Sequence, residues 1–147
     1  IEGVKKGKGE LYDFIRAAGG SIFMNNDYDY LKDMSRGITL CISYGTSDAD
    51  VTGHLLQSDP FLAVSIDNNP QLARIDTHLV GDYNLPNVLA AVTVGLHFGV
   101  PAEKIKSAIE SYTPSNSRSQ LLEYKGNKVV LDAYNANPSS MKLAIEN

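Results

Sequence analysis

The stretch from residue 84 to residue 98 constrains the fold most, because it is almost wholly apolar from Val88 to Phe98. A helix that is apolar on every side has to be buried, so we expect a buried helix here. Asn84 suits the N-cap of this helix, since its side-chain oxygen can accept a hydrogen bond from an unpaired first-turn N–H. Pro86 is tolerated in the first turn, where the N–H groups have no partner within the helix.

Two asparagines mark the start of this helix. Asn84 and Asn87 are three residues apart, so they lie on the same helical face. Each amide offers a donor and an acceptor, and a pair of them at an exposed helix start can bind a flat heteroaromatic ring. The alternative is an N-cap followed by an ordinary first-turn polar residue with no ligand. Local chemistry taken alone favours that alternative.

The composition indicates a soluble globular chain of 147 residues, enough for one domain or for parts of two. No apolar run approaches the roughly 20 residues that a membrane span requires. A net charge of −4 argues against nucleic acid or an anionic membrane as the main partner. The single cysteine, Cys41, favours a reducing compartment. Because the first residue is Ile, we expect a piece of a longer chain.

The order of the remaining patterns predicts an α/β fold. A basic, glycine-spaced loop (1–8) precedes a helix (10–18), a strand (21–24), a second helix (28–34) and a second strand (38–44). Next we expect a β-meander over 51–57, 61–66 and 71–80. The buried helix follows, with Gly99 as its C′ cap, and then another helix that starts at Pro101. The cluster at residues 25–27 follows a strand, where α/β sheets bind ligands, but ordinary turn chemistry is favoured.

Residues 113–117 form the best candidate linker, since all five are small or turn-forming. Beyond it the pattern predicts a hairpin over 120–124 and 128–131, with its turn at Gly126-Asn127, and a helix over 139–147. We therefore place a domain boundary between residues 113 and 114. The three histidines lack the paired spacing of metal ligands and are interpreted as structural. They are His54, His78 and His97.

Four motifs, in this order, resemble the Mur ligase family. They are E-G-V and K-G-E-L within residues 2–11, N-x-D at 25–27, G-x-Y-N-x-x-N-x-L-A-A at 81–91, and D-A-Y-N-A-N-P-S-S-M at 132–141. A lone arginine after the linker, Arg118, fits the same pattern. The last motif is most similar to the family member that adds D-alanyl-D-alanine to a UDP-muramoyl tripeptide. The resemblance covers nearly the whole chain.

The resemblance implies part of a P-loop-type ATPase sheet with helices and a β-hairpin annex over residues 1–113. Residues 114–147 would be the linker and the start of a Rossmann-like C-terminal domain. It also implies that Asn84 and Asn87 bind adenine and that Asp132 accepts hydrogen bonds from the ribose. Arg118 would reach the triphosphate as the catalytic residue. Tyr134 would join the cofactor site, and the substrate-side wall would consist of Asn135 and Asn137.

By the same resemblance, ATP phosphorylates the terminal carboxylate of UDP-N-acetylmuramoyl-tripeptide, and the amine of D-alanyl-D-alanine attacks the acyl phosphate. Mg²⁺ would neutralise the phosphates. The phosphate loop, the metal ligands and the UDP-binding domain are expected upstream, so this chain alone should be inactive and should hold no metal ligand. We expect the full-length enzyme to be a cytoplasmic monomer.

Two other hypotheses stay open. The chain could belong to another Mur ligase or to a folylpolyglutamate-type ligase, although the motif at residues 132–137 argues against these. It could also be a free-standing nucleotide-binding module without catalysis. A phosphate-loop sequence upstream of residue 1 would distinguish a ligase from such a module.

Overall fold

The computed structural model describes residues 2–115 and 120–131, together with residues 141, 142 and 145. The helices are α1 (Glu2–Ala17), α2 (Asp29–Ser35), α3 (Leu85–His97) and α4 (Ala102–Ser111). The strands are β1 (Ser21–Asn25), β2 (Leu40–Gly45), β3 (Val51–Gln57), β4 (Ala63–Ile66), β5 (Ile75–Asp76), β6 (Gln120–Tyr124) and β7 (Asn127–Leu131). Two short 3₁₀ turns cover Pro70–Leu72 and Asp82–Asn84. Within this described part, no helix is long and apolar enough to cross a membrane.

The main sheet has five strands in the order β1-β2-β3-β4-β5. β1 pairs with β2, and β2 with β3, in parallel, whereas β3-β4-β5 is antiparallel. This arrangement confirms the predicted α/β class and the predicted meander. The second sheet is the β6-β7 hairpin. Nothing in the structure tests the boundary between residues 113 and 114, which stays a prediction.

The hydrophobic core lies between α3, α4 and the antiparallel side of the main sheet. Its fully buried members come from β4 and the residue before it, from the first 3₁₀ turn, from β5 and from α3. They include Leu62, Val64, Leu72, Ile75, Leu89 and Val92, all 0–1% exposed. Packing of α3 on α4 is close, because a Cβ at Gly95 would lie 2.8 Å from Ile105 Cδ1. The core therefore fixes α3 against the sheet.

The prediction that α3 is wholly buried is wrong. Its buried residues are on one face, at Val88, Leu89, Val92 and Thr93. On another face Val94 is 37% exposed, and Phe98, just after the helix, is 71% exposed. The described elements cover only one side of the helix, so several of its apolar side chains are not covered by them.

The end of α3 follows the predicted pattern. Gly99 has a φ of +70°, and its N–H donates to the carbonyl of Leu96. The next N–H, that of Val100, donates to the carbonyl of Gly95, which completes a Schellman motif. α4 starts at Ala102, so Pro101 directly precedes the helix and does not occupy its first position.

The first helix is longer than predicted, because residues 2–8 are helical and do not form a loop. Two glycines in this stretch, Gly3 and Gly7, lower the intrinsic helix propensity, so the sequence pattern favours a loop. The end of α1 is tied to α2 by Arg16, which donates to the carbonyls of Met34 and Arg36. Two large apolar side chains of α1 are exposed in the described structure, Leu11 by 59% and Phe14 by 69%.

The hairpin forms as predicted, but its turn lies one residue earlier. Tyr124 pairs with Asn127, which leaves Lys125 and Gly126 as the two turn residues. Both have positive φ, +51° and +76°, as a type I′ turn requires. Residues 141, 142 and 145 are helical, as predicted for the last segment.

Candidate functional site at the start of α3

A glycine sets the path of the chain into α3. Gly81 has a φ of +88° and a ψ of 143°, a region that residues with a Cβ rarely adopt. A Cβ at this position would also overlap the ring of Tyr83. The Asn84 N–H then donates to the Gly81 carbonyl, and the 3₁₀ turn leads directly into α3.

Asn84 does not cap the helix through its side chain, so that part of the prediction is wrong. Its backbone is already helical, with a φ of −86° and a ψ of −8°, because Asn84 is the last residue of the 3₁₀ turn that leads into α3. The side chain instead turns back, and Nδ2 donates to the Val80 carbonyl at 2.9 Å. Asn84 is 9% exposed, so its amide is nearly buried.

The two amides do lie on one face, as predicted, and they contact each other. Asn87 Nδ2 donates to Asn84 Oδ1 at 3.0 Å. Asn87 is exposed, and beyond this bond its amide still has an oxygen acceptor and a second N–H to offer. The outward donor and acceptor at the start of α3 thus belong to Asn87, and Asn84 lies behind it.

A second polar cluster lies at the carboxyl end of β1. Asn25 Oδ1 accepts from the Asp27 N–H at 2.8 Å, and Asp27 Oδ1 accepts from the Thr46 N–H at 2.9 Å. Asn26 Nδ2 donates to the Asp48 carbonyl at 2.9 Å. These contacts clamp the connection between β2 and β3, as expected of turn chemistry. Gly45 is needed there, because a Cβ would lie 2.7 Å from Asp27 Oδ1.

The sequence analysis did not predict a contact at the other end of the loop between β2 and β3, where Asp50 meets Ser43. Asp50 Oδ2 accepts from both the N–H and the hydroxyl of Ser43, each at 2.7 Å. These hydrogen bonds, with the backbone N–H of Ser43 as the largest cause, lower the pKa of the Asp50 carboxyl. The signal in the sequence was an aspartate at the end of a short polar loop between two strands.

Each histidine has a partner within the protein. His54 Nδ1 lies 3.0 Å from Asp67 Oδ1, and the ring of His78 meets Phe61 edge-on. His97 packs edge-on against Phe23, with ring centroids 5.2 Å apart. Across residues 2–115, 120–131 and the few described beyond them, no group of three or more His, Cys, Asp or Glu could hold a metal ion.

The other predicted site residues lie outside the described residues. They are Arg118, Asp132, Tyr134, Asn135 and Asn137. Their assigned roles therefore stay predictions. The structure brings together only Asn84 and Asn87 of the predicted set.

No family model matches the sequence. The UDP-N-acetylmuramate--L-alanine ligase of Desulfatibacillum aliphaticivorans is 35% identical over 79 residues, 54% of this chain and 17% of that protein. The UDP-N-acetylmuramoyl-tripeptide--D-alanyl-D-alanine ligase of Bacillus subtilis is 33% identical over 69 residues, 46% of this chain and 15% of that protein. The chain is thus similar in sequence to part of each of these two Mur ligases.

Solved Mur ligases share the fold. MurF from Acinetobacter baumannii matches 99% of this chain and 32% of its own with a TM-score of 0.82, at 23% identity. MurF from Thermotoga maritima in complex with ADP matches 86% of this chain and 30% of its own with a TM-score of 0.67, at 18% identity. The chain spans about a sixth of the Mur ligases matched by sequence, 17% and 15% of their lengths.

Proposed function

We propose that the chain is part of an ATP-dependent Mur ligase and that the start of α3 holds the adenine of ATP. The observation that carries this is the exposed Asn87 amide, held from behind by Asn84 through a 3.0 Å hydrogen bond. An amide offers the donor and acceptor that the edge of adenine requires. The likeness in fold to a MurF solved with ADP supports nucleotide use.

The reaction we propose joins D-alanyl-D-alanine to UDP-N-acetylmuramoyl-tripeptide. ATP phosphorylates the tripeptide carboxylate, the amine attacks the acyl phosphate, and an amide bond forms as phosphate leaves. The fold likeness to MurF of Acinetobacter baumannii over 99% of the chain supports this assignment, as does the motif at residues 132–141. Holding both substrates together lowers the barrier by up to about 7–11 kcal/mol, because a bimolecular encounter becomes a positional one.

A second candidate reaction has its own support. The UDP-N-acetylmuramate--L-alanine ligase of Desulfatibacillum aliphaticivorans is 35% identical, and that of Chlorobium phaeobacteroides is 34% identical over 77 residues. Addition of L-alanine to UDP-N-acetylmuramate is therefore the alternative. Both reactions use the same nucleotide site and differ in the acceptor that is joined.

Residues after the linker complete the proposed site. Asp132 would accept hydrogen bonds from the ribose hydroxyls, and Arg118 would stabilise the charge that develops on the phosphates. Tyr134 would complete the nucleotide site, and the substrate-side wall would be formed by Asn135 and Asn137. Mg²⁺ would neutralise the phosphates when bound. Its ligands are expected elsewhere in the ligase, since the described residues offer no suitable group.

The proposed setting is peptidoglycan synthesis in the cytoplasm, and thus cell-wall biogenesis, cell shape and cell division. The full-length enzyme would be a monomer with no nucleic-acid partner. The non-enzymatic alternative is a free-standing nucleotide-binding module, since a base held at the amide pair would by itself require no catalysis.

The test is a substrate panel with the complete ligase that contains this sequence. Phosphate release with ATP is measured with UDP-N-acetylmuramoyl-tripeptide plus D-alanyl-D-alanine, and separately with UDP-N-acetylmuramate plus L-alanine. Turnover only with the first pair supports the main proposal, and turnover only with the second supports the alternative. No ATP-dependent turnover with either pair contradicts a ligase of this kind.

A further inference from the structure

Beyond the proposed adenine site, which it depends on, we propose that Asn84 is a positioning residue that selects adenine over guanine by fixing the orientation of the Asn87 amide. In this arrangement Asn84 does not touch the base. The backbone carbonyl of Val80 determines the orientation of the Asn84 amide, and the Asn84 amide in turn determines the orientation of the Asn87 amide.

The first step is the backbone. Val80 is 6% exposed, and its carbonyl accepts from Asn84 Nδ2 at 2.9 Å. The positive φ of Gly81 fixes the chain that follows this carbonyl. A carbonyl is an acceptor only, so it requires an N–H from its neighbour and determines which end of the Asn84 amide faces it.

The second step is the buried amide. Turning the Asn84 amide over would set its oxygen against the Val80 carbonyl oxygen, with no donor between them and almost no access to water. Such a pair of unsatisfied acceptors is costly in a buried place. Among the described residues, no buried side-chain N or O atom lacks a hydrogen-bond partner, so the observed orientation leaves none unpaired.

The third step is the exposed amide. Because Asn84 presents its oxygen outward, Asn87 must give one N–H to it, at 3.0 Å. The Asn87 amide is therefore held in one orientation, with its oxygen available to a ligand. At the 6-position of the purine ring adenine carries an amino donor and guanine a carbonyl acceptor. A fixed amide oxygen favours the first and opposes the second.

The experiment measures dissociation constants for ATP and GTP in the complete ligase by isothermal titration calorimetry. The variants are Asn84→Ala, Asn87→Ala and the double variant, with folding checked by thermal unfolding. If Asn84 acts only through Asn87, Asn84→Ala lowers the preference for ATP over GTP by about tenfold, because the freed Asn87 amide can turn its N–H towards guanine. The double variant then binds ATP no more weakly than Asn87→Ala alone.

The matched control is Thr93→Val, which removes another buried polar group of α3. Thr93 is 1% exposed and donates to the Leu89 carbonyl at 2.7 Å, away from the amide pair. Its preference for ATP over GTP should equal that of the wild type. If Thr93→Val lowers that preference as much as Asn84→Ala does, general loosening of α3 explains the effect and the inference is wrong.

Two further results separate the inference from the proposed function. If the losses of ATP affinity in the two single variants add up in the double variant, Asn84 acts on the base independently of Asn87. That result overturns the inference but not the proposed adenine site. Wild-type ATP affinity in Asn87→Ala overturns the proposed adenine site itself. Should Asn84→Ala fail to fold, Asn84→Leu keeps about the same side-chain volume but accepts no hydrogen bond from Asn87, and an unchanged preference for ATP over GTP there refutes the inference.

Discussion

Arg16 offers the sharpest test of how α1 is held against the rest of the fold. Its guanidinium donates to the Arg36 carbonyl and to the Met34 carbonyl, both at 2.8 Å, and pairs with Asp13 at 2.6 Å. The first two contacts satisfy carbonyls at the end of α2, which otherwise have no partner inside that helix. Replacing Arg16 by Gln should therefore loosen the ends of both helices.

The size of the effect follows from the contacts. A hydrogen bond from a charged donor contributes about 1.5–3 kcal/mol when buried. The Arg16 side chain is 33% exposed, so we take about 1 kcal/mol for each of the two carbonyl contacts. The pair with Asp13 is largely exposed and adds little. The sum of about 2 kcal/mol corresponds to about thirtyfold more frequent opening of the ends of α1 and α2, and so to about thirtyfold faster amide exchange there.

Amide hydrogen exchange of the complete protein that contains this sequence measures this opening directly. The matched control is Arg36→Gln, because Arg36 pairs with Asp33 at 2.7 Å but their side chains are 83% and 66% exposed. That exposed pair should be worth about 0.5 kcal/mol or less, about a twofold change. Equal exchange rates in the two variants would refute the reasoning that the Arg16 contacts hold α1 on α2.

Three further predictions follow from individual positions. Gly53→Ala should lower the free energy of unfolding by about 1–3 kcal/mol, measured by denaturant unfolding, because its Cβ would lie 2.5 Å from the Ser65 carbonyl oxygen and 2.8 Å from Leu89 Cδ2. Gly7→Ala should instead stabilise α1 and slow its amide exchange about two- to fivefold, since nothing lies within 4 Å of the added Cβ; faster exchange would contradict this. Because hydrogen bonds lower the pKa of Asp50, its contribution is present above the ordinary aspartate pKa and is lost as pH falls through the lowered value. Asp50→Asn should therefore flatten the loss of stability in acid, seen in thermal unfolding from pH 6 down to pH 2, and an unchanged profile would count against it.

The sequence predicted the elements whose signals are local. The Schellman end at Gly99, the meander and the hairpin all depend on periodicity and on turn residues within a few positions. Even there the hairpin turn was misplaced by one residue. Lys125, and not Asn127, shares the turn with Gly126 and has a positive φ, because pairing of Tyr124 with Asn127 fixes the turn.

The predictions were wrong where the structure of a segment depends on contacts that form only in the folded chain. Propensity alone could not show that the first turns of α1 are helical, since three glycines argue against it. Periodicity could not show which faces of α3 are covered by neighbours. Residue preference alone predicts a cap at Asn84, whereas its side chain turns back to the Val80 carbonyl, four residues earlier.

The sequence was enough to predict that the two asparagines form a pair, but not which of them is exposed and which is buried. Spacing of three residues was enough to place Asn84 and Asn87 on one face. Which of them faces outward depends on burial, which only the fold determines: Asn84 is 9% exposed, and Asn87 is exposed. The predicted residues beyond the linker, including Arg118 and Asp132, lie outside the described part of the chain.

A crystal structure of the complete ligase with ADP tests the central claim most directly. We predict that Asn87 Oδ1 lies about 3 Å from the exocyclic amino nitrogen of adenine, with Asn84 behind it and bonded to the Val80 carbonyl. Adenine bound away from the start of α3, with no contact to Asn87, would contradict the account.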